Sequence, residues 1–225
     1  MQPLPPLLSA QKDLIARFQT SCHALCTSIL ALLGTALEIP ESDYFASRHD
    51  QARGPSGTIF RMLYYPKTNS GSNEVQSIRA GAHSDYGSIT LLFRLPGQPG
   101  LELSTDEGWA PVPVNPDESK LADAPILVNI GDLLSFWTNG MLKSTVHRVT
   151  FSGGEERYSM AYFCHPLDDA KLEPVPSPAI QAFGNTGEAE LESQRRRLGL
   201  SGSRDHDVLT AKQHLDRRLH VTYGI

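Results

Sequence analysis

The chain has 225 residues, of which 40% are hydrophobic and 20% are charged, and its formal net charge is −5 at pH 7. That composition is typical of a globular protein of ordinary domain size, with enough apolar side chains to bury a core. The negative charge argues against nucleic acid or an anionic membrane as the main partner, and no run approaches the roughly 18 apolar residues of a membrane span.

The first predicted element is a long amphipathic helix over about residues 10 to 37, with Ser9 as its expected N-cap. The sequence before it has no basic segment followed by an apolar core, so we expect no secretory signal. Cys22 and Cys26 lie on this helix, and we expect them to be small core residues. With Cys164 they make three cysteines, an odd number that favours a reduced, cytoplasmic setting.

Between about residues 57 and 165, short runs rich in β-branched and aromatic residues alternate with turn residues. We expect a strand in each of eight runs: TIFRMLYYP, SITLLFRL, GLELS, WAPVPV, PILVNIG, LLSFW, STVHRVTF and YSMAYFCHP. Because no helical pattern intervenes, the spacing predicts an antiparallel sandwich or barrel. The SGGEE segment between the last two runs is typical of a hairpin turn.

The pattern loosens after the last of these runs. We interpret LEPVPSPAIQ as a proline-rich surface segment, and we expect helices in GEAELESQRRRLGL and LTAKQHLDRRLHVTY, the second with a capping box of Thr210 and Gln213. Acidic residues precede the arginines at 195–197, so a solvated helix face with ion pairs is favoured over a nucleic-acid patch. The chain is thereby divided into three expected parts: an N-terminal helical segment at 1–55, a β core at 56–168, and a C-terminal loop with helices at 169–225.

The stretch AHSDYG places a histidine and an aspartate two residues apart, at His83 and Asp85. In an extended segment, residues i and i+2 share one face, so the two side chains would converge. His147 lies on a separate strand-like run, which can be a neighbour in an antiparallel barrel. Two imidazoles and one carboxylate form the facial triad of non-heme Fe(II) oxygenases, and a catalytic zinc could use the same ligands. Taken alone, an HxD pair is also consistent with a polar pair of no catalytic meaning.

A second polar group begins ten residues after His147, where Arg157 and Ser159 share one face of a strand. A guanidinium directed into a barrel keeps its charge and therefore needs an anion. Its planar fork suits a carboxylate, to which a neighbouring hydroxyl adds a hydrogen bond. A dicarboxylate that chelates a metal at one end and meets Arg157 at the other would fit both groups. An internal Asp or Glu paired with Arg157 is the alternative.

With these residues in place, the chain resembles the Fe(II)- and 2-oxoglutarate-dependent oxygenases of the isopenicillin N synthase-like group. The similar segments run from about residue 10 to 170 in the same order, among them RMLYYP, AHSDYGSITLLF and NGMLKSTVHRV. The resemblance implies a mainly β fold with flanking helices: a double-stranded β-helix, or jelly roll, backed by the long N-terminal helix. It also implies an oxidoreductase that hydroxylates or desaturates a small organic molecule, using Fe(II), 2-oxoglutarate and O₂ and releasing succinate and CO₂.

The resemblance carries over to individual residues. The iron ligands of the family match His83, Asp85 and His147. The pair that binds the far carboxylate of 2-oxoglutarate matches Arg157 and Ser159. Tyr65, the second tyrosine of YYP, matches a tyrosine that often donates a hydrogen bond to the co-substrate.

Two features differ from the family pattern, and they keep alternatives open. Many plant relatives carry Asn where this chain has Leu63, and members usually have strands and helices ahead of the long helix, where this chain has almost nothing. An apolar face left bare there would favour a homo-oligomer. The alternatives are an isopenicillin N synthase-like or ACC oxidase-like iron oxidase that does not use 2-oxoglutarate, and a truncated, non-catalytic binding member.

Overall fold

The computed structural model describes residues 5–67, 77–117, 123–151, 154–198 and 208–224. Two four-stranded antiparallel sheets form its centre, with strand orders β1-β8-β3-β6 and β2-β7-β4-β5. The strands are β1 (Ile59–Tyr65), β2 (Ser77–His83), β3 (Ile89–Arg94), β4 (Leu101–Thr105), β5 (Gly108–Pro111), β6 (Leu127–Ile130), β7 (His147–Phe151) and β8 (Arg157–Cys164). The mainly β, jelly-roll fold that the sequence predicts is confirmed.

Helices precede and follow the strands along the chain, and one helix lies between β6 and β7. In the described part of the chain they are α1 (Pro6–Ser9), α2 (Lys12–Ala36), α3 (Tyr44–Arg48), α4 (Asp132–Trp137), α5 (Pro178–Phe183), α6 (Glu188–Arg197) and α7 (Ala211–Tyr223). None of these helices has both the length and the apolar character needed to cross a lipid bilayer.

The long helix α2 confirms the first predicted element to within two residues at each end. Ser9 is not its N-cap, because Ser9 is the last residue of α1 and the cap position falls to Gln11. Cys22 and Cys26 are buried, as expected, and all three cysteines of the chain are free thiols. The buried residues of α2 pack against β8 and β3, so the helix covers one face of the sheet that contains these strands.

Two predicted local structures are wrong for reasons of tertiary packing. The LLSFW run is helix α4, in which Leu133, Leu134 and Trp137 have no exposed surface. These three residues follow helical spacing, and burial on one helix face overrides their β-like composition. SGGEE does not close a hairpin, since β7 pairs with β2 and β4 whereas β8 pairs with β1 and β3 in the other sheet; residues 152–153 lie outside the described ranges.

The C-terminal segment is more closely integrated with the core than its composition predicts. LEPVPSPAIQ is a surface segment only in part, because Leu172, Val175 and Ile180 are buried whereas Glu173, Pro174 and Pro176 are exposed. Both hydrogen bonds of the predicted capping box at the start of α7 are present. Helix α7 therefore has a defined start, and its buried residues His214 and Arg218 lie against Asp132 of α4.

His49 and His214, two of the three buried histidines in the described part of the chain with His165, are neutral in this framework. His49 lies 2.6 Å from the Phe45 carbonyl and 2.8 Å from Ser88 Oγ, and burial lowers its pKa to about 4. His214 of α7 has no exposed surface, and burial together with Arg218 and Arg197 lowers its pKa to about 3. An unfolded chain would bind a proton at both positions near pH 6.5, whereas the folded chain would not.

Acidification below about pH 6.5 is therefore expected to destabilise the fold before the carboxylates titrate. The unfolded state binds protons that the folded state does not bind. Each buried histidine therefore lowers the free energy of unfolding by about 1–2 kcal/mol between pH 6.5 and 5. Urea unfolding at stepped pH would measure the slope. His49→Gln should make it shallower, whereas His220→Gln, at an exposed position of α7, should leave it unchanged. Equal slopes in all three proteins would contradict the assignment.

Candidate metal centre

Three metal-ligand side chains meet in the cavity between the two sheets. His83 ends β2 and lies directly opposite His147 of β7, and their ring centroids are 4.4 Å apart. Asp85 follows two residues later, with Oδ1 3.7 Å from His147 Nε2. One ligand atom from each of the three lies within 4.8 Å of the others, and the cluster ranges from half-buried to buried. The convergence predicted from the HxD spacing and the distant histidine is present.

Backbone carbonyls fix the orientation of both imidazoles. His83 Nδ1 lies 2.7 Å from the Gly81 carbonyl, and His147 Nδ1 lies 3.1 Å from the Thr145 carbonyl. A carbonyl only accepts hydrogen bonds, so each Nδ1 carries the hydrogen and each Nε2 keeps its lone pair. Burial, and next the neighbouring His147, lower the pKa of His83 and favour the neutral form that ligates metals.

The loop that carries Asp85 is held against the start of α4 by the backbone. Asp132 N donates to the Asp85 carbonyl at 2.9 Å, and Leu133 N donates to the Gly87 carbonyl at 3.0 Å. The approach is so close that a Cβ on Gly131 would lie 2.2 Å from the Gly87 oxygen, so only glycine fits there. The helix that the sequence analysis interpreted as a strand is thus a support for the metal-ligand loop.

A polar network that begins at Arg218 of α7 contacts the same loop and stabilises its position. Arg218 is 5% exposed and donates from Nη2 to Ser84 Oγ at 3.3 Å. Ser84 is the residue between His83 and Asp85 in the HxD motif. Its Nε lies 3.6 Å from Oδ2 of the buried Asp132, whose Oδ1 accepts a 2.7 Å hydrogen bond from Ser144. The C-terminal helix therefore helps to define the position of the ligand loop.

Asn129 contacts the cluster directly, and the sequence analysis did not identify it. Its Nδ2 donates to Asp85 Oδ2 at 2.6 Å, which leaves Oδ1 directed toward the imidazoles. The only sequence signal was a polar residue in the apolar β6 run LVNI, on the face that lines the cavity. Such partners of a ligating carboxylate fix its orientation.

Replacing Asn129 with valine is expected to weaken metal binding 10- to 100-fold, roughly the cost of losing a partner of a metal ligand. Calorimetric titration with Mn(II) would measure the affinity. Thr90→Val is the matched control, since Thr90 is directly opposite Asn129 in the sheet and lines the same cavity. Equal affinities for the Asn129 variant and the control would show that Asp85 is oriented by other contacts.

Arg157 lies at the other end of the cavity, and the described residues supply no carboxylate partner for it. It is 4% exposed, and it donates from Nε to the Pro99 carbonyl at 3.0 Å and from Nη1 to Ser159 Oγ at 3.4 Å. Burial lowers its pKa, yet a guanidinium stays charged in proteins. Among the described residues, no Asp or Glu oxygen lies within 4.0 Å of the Arg157 guanidinium, the distance that defines an ion pair. The internal acid that was the alternative partner is therefore not found in this part of the chain.

The metal-ligand cluster and Arg157 share one cavity of about 440 Å³. Strand pairing places Tyr65 opposite Arg157 and Leu63 opposite Ser159, and all four side chains line it. The Arg157 guanidinium carbon is 5.3 Å from the centre of the Tyr65 ring. Apolar side chains such as Leu92, Leu101 and Val149 form much of the remaining wall. The volume suits a dicarboxylate together with part of a small organic molecule.

A β-helix whose cavity holds two histidines and one aspartate with open positions defines the class of non-heme metal oxygenases. The model of the 2OG-Fe(II) oxygenase superfamily matches residues 56–166. Over 191 residues, the chain is 32% identical to the 2-oxoglutarate-dependent dioxygenase iboH of Amanita muscaria, covering 80% of this chain and 84% of that protein. The chain belongs to the 2OG-Fe(II) oxygenase superfamily.

Longer proteins are similar over nearly the whole chain. A UPF0676 protein of Schizosaccharomyces pombe is 32% identical over 230 residues, which cover all of this chain and 61% of that protein. The crystal structure of a full-length Neurospora crassa protein in complex with alpha-KG and thymine has a TM-score of 0.68 and 30% identity, covering 94% of this chain and 57% of that one. The chain thus spans about three fifths of the length of these two relatives.

Proposed function

We propose that the chain is an Fe(II)- and 2-oxoglutarate-dependent dioxygenase that hydroxylates or desaturates a small organic molecule. The observation that carries the proposal is that one cavity holds both a three-ligand cluster and a buried arginine without a carboxylate partner among the described residues. The family and the relatives named as 2-oxoglutarate-dependent dioxygenases support the same chemistry. The thymine in the Neurospora crassa structure is a small molecule bound by one relative.

The donor set fits a ferrous ion. His83 and His147 would ligate through Nε2 and Asp85 through Oδ1, because their other polar atoms already have hydrogen-bond partners. One carboxylate offsets part of the charge of a divalent cation, and three protein ligands leave positions for co-substrate and O₂. We assign the far carboxylate of 2-oxoglutarate to Arg157, Ser159 and Tyr65.

The remaining chemistry divides between the metal and the chain. Bound Fe(II) supplies O₂ activation coupled to decarboxylation of 2-oxoglutarate into succinate and CO₂. The chain contributes position, since Arg157 and Ser159 fix one end of the co-substrate while the cluster faces the other end. The apolar walls exclude water from the space where substrate is oxidised. We further propose the 56–168 segment as the catalytic core and residues 1–55 and 169–225 as its flanking parts.

An isopenicillin N synthase-like or ACC oxidase-like oxidase would use the same ligands without 2-oxoglutarate. The names of the relatives favour the co-substrate. A non-catalytic binding member is disfavoured because both imidazoles and the carboxylate are held with their ligand atoms converging.

The test is succinate formation from 2-oxoglutarate by the whole chain with Fe(II), ascorbate and O₂, first without substrate and then with a panel of small molecules. We expect slow succinate formation alone, and stimulation together with O₂ uptake when a substrate is added. Metal-dependent O₂ uptake without succinate would favour the oxidase alternative. Metal binding with neither O₂ uptake nor succinate formation would contradict an oxygenase.

A further inference from the structure

A second compartment of about 220 Å³ adjoins the cavity on the side away from Arg157. It shares His83, Asp85 and Arg61 with the larger cavity. Much of its wall is apolar or aromatic: Tyr86, Phe163 and Tyr223, which also line the larger cavity, and Ile59, Leu215 and Leu219. A molecule held there would lie beside the metal ligands while Arg157 and Ser159 hold the co-substrate.

Strand geometry separates two cations on the same wall. Arg61 and Tyr65 are four residues apart on the inward face of β1, which is about 13 Å along an extended strand. Tyr65 pairs with Arg157, whereas Arg61 pairs with Ala161, nearer the second compartment. Arg157 and Arg61 therefore serve different ends of the site.

Arg61 has no acidic partner in the described part of the chain. No Asp or Glu oxygen of those residues lies within 4.0 Å of its guanidinium, whose carbon is 5.7 Å from the centre of the Phe163 ring. Among the described residues that line the compartment, Asp85 is the only carboxylate, and it belongs to the metal-ligand cluster. In a chain of net charge −5, this is a localised cation in a concave, largely apolar wall.

The aromatic ring of Tyr86, which belongs to the ligand loop itself, is held in place by α7. The Tyr86 hydroxyl lies 2.9 Å from Thr222 Oγ1 of α7, and the Arg218 guanidinium carbon lies 4.4 Å from the centre of the Tyr86 ring. Tyr86 follows Asp85 directly, so the wall and the metal-ligand loop share one support. A ring fixed in this way offers an apolar surface at low entropic cost to a ligand.

From these contacts, we propose that Arg61 binds a carboxylate of the substrate, whose apolar body packs against Phe163, Leu215 and Leu219 beside the metal ligands. The substrate class is thus a small apolar monocarboxylate. This inference rests on the proposed oxygenase function, because it assigns Arg157 to the co-substrate. Arginine's planar fork suits a carboxylate, and the cation would also attract such acids to the cavity.

The test compares acids with their uncharged amides. The probes are 3-phenylpropanoate with 3-phenylpropanamide and hexanoate with hexanamide, titrated into the chain loaded with redox-inert Zn(II) and 2-oxoglutarate and followed by ligand-observed NMR. We expect at least one acid to bind tenfold or more tightly than its amide. Arg61→Gln should abolish that preference and Arg61→Lys should retain part of it. Arg17→Gln, the same change at an exposed position of α2, should leave the preference unchanged.

Any one of three results would overturn the inference. They are equal binding of acid and amide, no binding by either pair, and a preference for the acid that persists in Arg61→Gln. Its failure is distinguishable from failure of the proposed function. Succinate formation by wild-type protein that binds thymine but no acid would leave the oxygenase standing and remove the substrate class. An Arg61-dependent acid preference without any succinate formation would leave an anion site and remove the oxygenase.

Discussion

Asp85→Ala is expected to abolish Fe(II)-dependent conversion of 2-oxoglutarate to succinate while the chain stays folded. Asp85 is the only anionic member of the cluster, and its removal leaves two neutral imidazoles to hold a doubly charged ion. Three protein ligands are the usual minimum for such a catalytic site. Succinate formation at saturating Fe(II), together with an Mn(II) titration, would measure the loss.

The fold should survive because the lost contacts are few. Asp85→Ala leaves the Asn129 amide without its 2.6 Å partner, which costs about 1–3 kcal/mol, whereas a domain is stable by about 5–15 kcal/mol. The backbone bond from Asp132 N to the Asp85 carbonyl does not depend on the side chain. Asp85→Asn, which keeps the shape and removes the charge, is the second variant, and Asp169→Ala, at an exposed position, is the control. Turnover retained in either Asp85 variant would refute the ligand assignment.

The site was predictable from sequence where strand periodicity alone places a side chain. The i, i+2 relation brings Arg157 and Ser159 to one face, and it brings His83 and Asp85 together although Asp85 lies just past the end of β2. The pairing of His83 with His147 across two strands needed the topology, which the resemblance implied and the sheet register confirms.

Contacts made through the backbone or across elements left almost no sequence signal. The carbonyls that orient the two imidazoles belong to Gly81 and Thr145, and any residue can supply a carbonyl. Arg218 reaches the ligand loop from α7, more than 130 positions later in the chain, so spacing could not reveal it. Arg61 shares a face with Tyr65, and its position on that face was the one available hint.

Local composition failed where burial sets the structure. Helix α4 has strand-like composition, but its buried leucines and tryptophan fill the core as a helix. His49 and His214 carry no local signal of burial, yet each is enclosed by elements from distant parts of the chain. The environment of each of these residues is created by tertiary packing, so the local sequence does not indicate it.

Arg157→Gln is expected to weaken 2-oxoglutarate binding about 100-fold with little change in metal affinity. Removing one partner of a buried, hydrogen-bonded charge pair costs about 2–5 kcal/mol, which corresponds to roughly 30-fold to several thousand-fold in affinity. Arg157 contacts the Pro99 carbonyl and Ser159 and is distant along the strands from the ligand cluster. The dissociation constant of 2-oxoglutarate for Zn(II)-loaded protein would measure the effect. Ser159→Ala should cost about 1 kcal/mol, or roughly fivefold, since it removes one neutral hydrogen bond.

A shortened co-substrate separates a direct contact from a general loss of structure. 2-Oxopentanoate keeps the keto acid that faces the metal and has a methyl group in place of the far carboxylate. Wild-type protein should bind it far more weakly than 2-oxoglutarate, whereas Arg157→Gln should bind the two almost equally, because the charge that distinguishes them has lost its partner. This comparison is a double-mutant cycle between a side chain and a ligand group. If the variant weakened both ligands by the same factor, Arg157 would support the cavity without contacting the carboxylate, and the anchor assignment would be wrong.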